Sequence, residues 1–69
     1  MNIDWIKVAI NIRNHMPLVQ ASEKIGRHRD WLNHIARGEI TDPKFSHAVR
    51  LLDLHLDVCG IDEHKEITL

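Results

Sequence analysis

Trp5, Val8, Ala9 and Ile12 stand at i, i+3, i+4 and i+7, the spacing that lines one face of an amphipathic helix. Asn2 or Asp4 offers a side chain to cap its start. Met16-Pro17 stops it, because a proline ring has no N–H to donate and crowds the preceding turn. Pro17 then opens a second helix, residues 17–25, with Leu18, Ala21, Ser22 and Ile25 inward. Gly26 ends that helix where a left-handed residue closes it without steric penalty. A third helix follows Arg27 and runs to about Ala36, with Trp31, Leu32 and Ile35 as its apolar positions, and Gly38 closes it in the same way. Thr41-Asp42-Pro43 reads as a helix start, an acidic cap followed by proline in the first turn. Phe45, Ala48, Val49, Leu51 and Leu52 form the inner face of the fourth helix.

Beyond Leu52 the period is ambiguous. Leu52, Leu54, Leu56 and Val58 alternate with Asp53, His55 and Asp57, as in a strand, while Ala48, Leu52 and Leu56 also fit a helix. The expectation is helix to about His55, followed by a tail in which Lys65 to Leu69 form a short terminal strand or fray. The fold class is therefore all-α, four to five short helices in a single domain over residues 1–69, with room for a short C-terminal β-strand.

At 69 residues the chain stands near the lower limit for an autonomous domain, burying only about 60% of its unfolded surface. A hydrophobic content of 43% argues against disorder. The lone Cys59 can form no internal disulfide, no apolar run approaches the roughly 20 residues of a membrane span, and no signal-peptide pattern is visible. A cytoplasmic protein with no membrane association is expected. The net charge of −1 hides an asymmetry. Lys7 and Arg13 against Asp4 give +1 over residues 1–17. Lys24, Arg27, Arg29, Arg37, Lys44 and Arg50 against Glu23, Asp30, Glu39 and Asp42 give +2 over 18–50. Lys65 against Asp53, Asp57, Asp62, Glu63 and Glu66 gives −4 over 51–69. A basic centre with an acidic end is compatible with a nucleic-acid partner.

The informative stretch is residues 17–37, two short helices meeting at a glycine. Ala21 and Ser22 are small where the helices cross, Gly26 permits the sharp turn, and Ile25, Leu32 and Ile35 are the plugs that fix the angle between them. Residues 17–56, including QASEKIGRHRDWLNHIARGEITDPKFSHAVRLLDLHL, resemble the Cro/repressor-type (lambda-repressor-like) helix-turn-helix family of phages and bacteria. The order matches: a second helix ending in Ile-Gly, a recognition helix, an Arg-Gly close and a Pro-initiated fourth helix. The chain departs from that family in carrying Leu18 where glutamine is frequent, Arg27 after the turn glycine, and Ser22 for alanine.

The resemblance implies a sequence-specific regulator, a Cro-like repressor that binds operator DNA through a recognition helix over residues 28–36. His28, Arg29, Asp30, Asn33 and His34 would face the bases, with arginine suited to the O6 and N7 of guanine. Arg27, Arg37 and Lys44 would contact phosphates. The apolar excess of the 57–69 tail and the residues before it reads either as a cap on a small core or as a dimer interface. The expected dimer residues are Leu54, Leu56, Val58 and Ile61, since a two-fold homodimer reads two half-sites about 34 Å apart. The rival reading is a protein-interaction module of the same fold that binds a regulator or RNA polymerase. Trp31 reads as a packing residue rather than a base-stacking one. His55, Cys59 and His64 have some look of metal ligands, but a structural zinc site uses four ligands at tighter paired spacing, so no metal is expected. No Gly-rich phosphate loop, paired carboxylates or Cys/His nucleophile is visible, so neither catalysis, cofactor nor small-molecule ligand is expected.

Overall fold

A computed structural model describes residues 2–69; Met1, part of the expected 1–69 domain, lies outside them. Five helices follow one another: α1 (Trp5–His15), α2 (Leu18–Ile25), α3 (Arg29–Ala36), α4 (Phe45–Cys59) and α5 (Ile61–Lys65). Asp4 caps α1 by accepting from the Lys7 amide at 3.1 Å, and Met16 in extended backbone ends it. Pro17 sits just outside α2 as its N-cap, one position earlier than expected.

Helix α1 packs against α3 and α4, and α2 against the same two. The core between them is Val8, Ala9, Ile12, Ala21, Ile25, Trp31, Leu32, Ile35, Leu51, Leu54 and Ile67. Ser22 lies buried among these helices because its hydroxyl donates back to the Leu18 carbonyl at 2.7 Å, so no polar atom is left without a partner.

The structure corrects the expectations for the second half of the chain. Helix α4 starts at Phe45 with Lys44 as N-cap, not at Pro43. Pro43 is buried at this end while Phe45 is 84% exposed, and Val49 is exposed as well. Helix α4 extends four residues beyond His55, and its inner stripe is Leu51, Leu54, His55 and Val58, the i, i+3, i+4, i+7 rule again. The strand-like alternation of residues 52–58 is therefore resolved as helix. Gly60, with φ 88° and ψ 167°, breaks the axis and starts α5.

No strand forms among the described residues. With α5 ending at Lys65 and α1 starting at Trp5, few extended residues remain on each side. They make one antiparallel bridge, Ile3 with Thr68, through Asp4 N–H to Ile67 O at 2.7 Å and Leu69 N–H to Asn2 O at 2.9 Å. That bridge holds Ile67 in the core. No described helix is long and apolar enough to cross a membrane.

Candidate nucleic-acid interface

Helix α2 is closed by Gly26, whose φ of 82° and ψ of 27° lie in the left-handed region that costs a residue with a Cβ roughly 1–2 kcal/mol. The Gly26 and Arg27 amides both donate to the Ser22 carbonyl, at 2.8 and 3.2 Å. Arg50, from α4, adds a bond from Nη1 to the Ile25 carbonyl at 3.3 Å, a cation at the negative end of the α2 dipole. The chain then turns through Gly26, Arg27 and His28 into α3. Trp31, Leu32 and Ile35 are buried on one side of α3, and Arg29, Asp30 and Arg37 are exposed on the other, with Asn33 and His34 half-buried.

The predicted base-facing residues divide into two kinds. His28 is the N-cap of α3: its Nδ1 accepts from the Asp30 amide at 3.2 Å. That bond requires the neutral ring, so the nearby Asp30 carboxylate, 3.6 Å away, forms an ion pair with it only after protonation. Arg29, in the first turn, makes no side-chain hydrogen bond or ion pair among the described residues and is exposed. His34 and Arg37 are both engaged by Glu39, a residue the sequence reading passed over. Gly38, also at positive φ, closes α3 and throws Glu39 back over its last turn. Glu39 accepts from His34 Nδ1 at 2.7 Å and from Arg37 Nε at 2.6 Å. Because a carboxylate only accepts, His34 Nδ1 carries the proton, and the 3.2 Å approach of Arg37 Nη2 to that nitrogen is a packing contact rather than a second hydrogen bond. The His34 bond, then the Arg37 bond, hold the Glu39 carboxyl below its ordinary pKa. Arg37, expected at a phosphate, thus carries its own counter-charge.

Cationic groups gather instead beside the N-terminal end of α3. The Arg27 guanidinium lies over the Trp31 ring at 5.6 Å, and the His47 ring of α4 stands 5.6 Å from Trp31 on a tilted contact. Burial, followed by the charges of Arg27, Arg50 and Lys44, holds His47 below the ordinary histidine pKa. Arg27, Trp31, Lys44 and His47 share one shallow pocket with Asp42. Arg27 and Lys44 were both expected at phosphates; His47 and Arg50 were not singled out, because their proximity arises only when α4 packs across the α2–α3 turn. Trp31, 8% exposed, is a packing residue as expected.

The expected dimer residues also divide. Leu54 is 6% exposed and belongs to the chain's own core, and Val58 packs against that core, whereas Leu56 and Ile61 are exposed. Comparison of the chain with protein-family models, curated proteins and solved structures finds no match.

Proposed function

We propose that this protein is a DNA-binding regulator that presents α3 to the major groove and acts as a repressor by occupying operator DNA. The observation that carries the reading is Arg29 in the first turn of α3, exposed and unpaired among the described residues, with Arg27, Lys44, His47 and Arg50 clustered beside the same helix end. Arg29 has the reach and the fork geometry to donate to O6 and N7 of a guanine, and Asn33 stands one turn further along the same helix. Arg27 and Lys44 hold the phosphates on either side, fixing the register without reading sequence. Glu39 keeps Arg37 and His34 from adding indiscriminate phosphate attraction, so discrimination rests on few cations.

The described chain measures 26 × 22 × 20 Å, smaller than the roughly 34 Å between half-sites one helical turn apart. Reading a palindrome therefore takes two chains. The exposed apolar Leu56 and Ile61 are the surface on which we place the homodimer contact, with the acidic residues of the C-terminal part turned from DNA.

The test is affinity for duplex DNA against salt. Each phosphate neutralised contributes about −0.9 to the slope of log K against log salt. Arg27 and Lys44 on each of two chains, four phosphate contacts in all, predict a slope of about −3.6. A folded chain with no measurable affinity at low salt would overturn the proposal and favour the protein-interaction reading.

A further inference from the structure

The acidic end of the molecule holds a second cluster that the DNA reading does not use. His15 ends α1, Cys59 ends α4, and Glu63 lies in α5. One ring nitrogen of His15, the Cys59 sulfur and a Glu63 carboxylate oxygen all lie within 4.8 Å of one another. His15 Nε2 is 3.8 Å from Glu63 Oε1. In a tetrahedral zinc site, with metal–donor distances of about 2.0–2.3 Å, neighbouring donors stand about 3.4–3.6 Å apart. Drawing these three side chains together by about an ångström meets that geometry.

The orientation of the histidine is already set. Its Nδ1 donates to the Asn11 carbonyl at 2.8 Å, so Nε2 is the nitrogen turned towards Glu63 and, in the neutral ring, the one that carries the lone pair. A ligating histidine is oriented in the same way when a backbone carbonyl holds its other nitrogen. With Nδ1 so engaged, the Cys59 sulfur 3.7 Å from it gains no hydrogen bond there. Two groups that become anions on losing a proton, a thiol and a carboxyl, thus converge with one imidazole. A divalent cation satisfies all three and leaves the site neutral overall. The backbone break at Gly60 makes this convergence possible, since it turns α5 back so that Glu63 reaches the ends of α1 and α4.

We propose that His15, Cys59 and Glu63 form a zinc site, with solvent in the fourth position. This departs from the expectation of no metal. The set lacks the paired spacing of a zinc motif because His15 lies 44 residues from Cys59 in sequence. On binding, a sulfur–zinc bond forms, the thiol S–H bond breaks, and its proton passes to solvent; Nε2 and the carboxylate donate without further proton loss. The ion links the ends of three helices, so occupancy stabilises the fold by mass action.

The test uses the full chain without a histidine tag, stripped of metal by a chelator and titrated with Co2+ in reducing buffer. The expected result is a thiolate-to-cobalt charge-transfer band with tetrahedral visible bands, saturating at one Co2+ per chain and displaced by Zn2+. Cys59→Ser removes the charge-transfer band, and His15→Ala and Glu63→Gln each weaken Zn2+ binding roughly 10-fold or more. His64→Ala leaves the band in place. Circular dichroism on every variant confirms a helical fold, and Glu63→Gln, a near-isosteric change at a half-buried site, keeps the test valid where another variant unfolds. Absence of the band in the folded wild-type chain would overturn the proposal. So would a band unaffected by both His15→Ala and Glu63→Gln, or saturation at one ion per two chains.

Discussion

Arg29 and Glu39 have opposite effects on the same helix. Arg29 is exposed and, among the described residues, unpaired, so the proposed base contact predicts that Arg29→Ala relaxes discrimination at one base pair by about 1–3 kcal/mol while leaving the helical fold intact. Glu39 holds the Arg37 and His34 side chains, so Glu39→Gln should raise affinity for unrelated duplexes and steepen the salt slope of the two-chain complex by about 1.8 as Arg37 of each chain reaches a phosphate. Unchanged non-specific affinity in that variant would show that Arg37 lies away from DNA. His55 is fully buried on the inner stripe of α4. Asn11 Nδ2 can only donate, so His55 Nε2 accepts at 3.0 Å, and the ring proton on Nδ1 is given to His64 Nδ1, also at 3.0 Å. Burial, the largest cause, outweighs the opposing pull of the Glu63 carboxylate and holds the His55 pKa below its ordinary value. A histidine depressed on folding binds its proton more readily in the unfolded chain. Its contribution to stability is therefore present above the unfolded pKa of about 6.5 and lost as pH falls below it. The melting temperature should drop on acidification through that range, and His55→Leu should flatten the dependence. The burial of His55 was not visible in the sequence, because the two partners that make it tolerable, Asn11 on α1 and His64 on α5, come from other helices.

At the scale of elements, α1 to α3 follow from the sequence almost residue by residue. Their apolar spacing, the Asp4 cap and the left-handed close at Gly26 are local rules, and the tertiary packing agrees with them. The fourth helix was less legible for two physical reasons. Asp42-Pro43 is a genuine start signal, yet Pro43 is buried ahead of the helix and Lys44 takes the cap position, which leaves Phe45 in solvent. The period-two run of leucines cannot by itself distinguish strand from helix; the choice falls to helix because Leu51, Leu54, His55 and Val58 meet α1 and α2. Gly26→Ala tests the turn between α2 and α3. A Cβ there stands 2.8 Å from Arg50 Nη1, and although that flexible end can move, it would give up its bond to Ile25. With the left-handed strain included, the expected loss is about 1–2 kcal/mol in urea unfolding. An unchanged midpoint would mean that the turn relaxes to another conformation.

For the whole molecule, the thin margin of a 69-residue core governs what substitutions it survives. Ile35 is fully buried at the centre of the core, and Ile35→Ala should cost about 2–5 kcal/mol, comparable to all the stability such a domain holds. The variant should lose its helical circular dichroism at ambient temperature. The candidate site was partly legible: Arg27, Arg29 and Lys44 were singled out in the sequence and are exposed around the start of α3 and the pocket beside it, while Glu39, His47 and Arg50 entered only through packing. Leu54 could not be distinguished from a dimer residue by hydrophobicity, since a core position and an exposed interface have the same composition. Leu56 and Ile61 remain on the surface, and the proposed homodimer predicts that Ile61→Asp sediments as a monomer and binds duplex DNA more weakly than the wild-type chain. The most direct measurement is selection of bound duplexes from a random pool by the wild-type chain and by Arg29→Ala. DNA reading through α3 predicts enrichment of a two-fold palindrome containing a guanine in each half-site, with preference at that guanine lost in the variant. Enrichment of no sequence by the folded wild-type chain, or an identical motif from both, would contradict it.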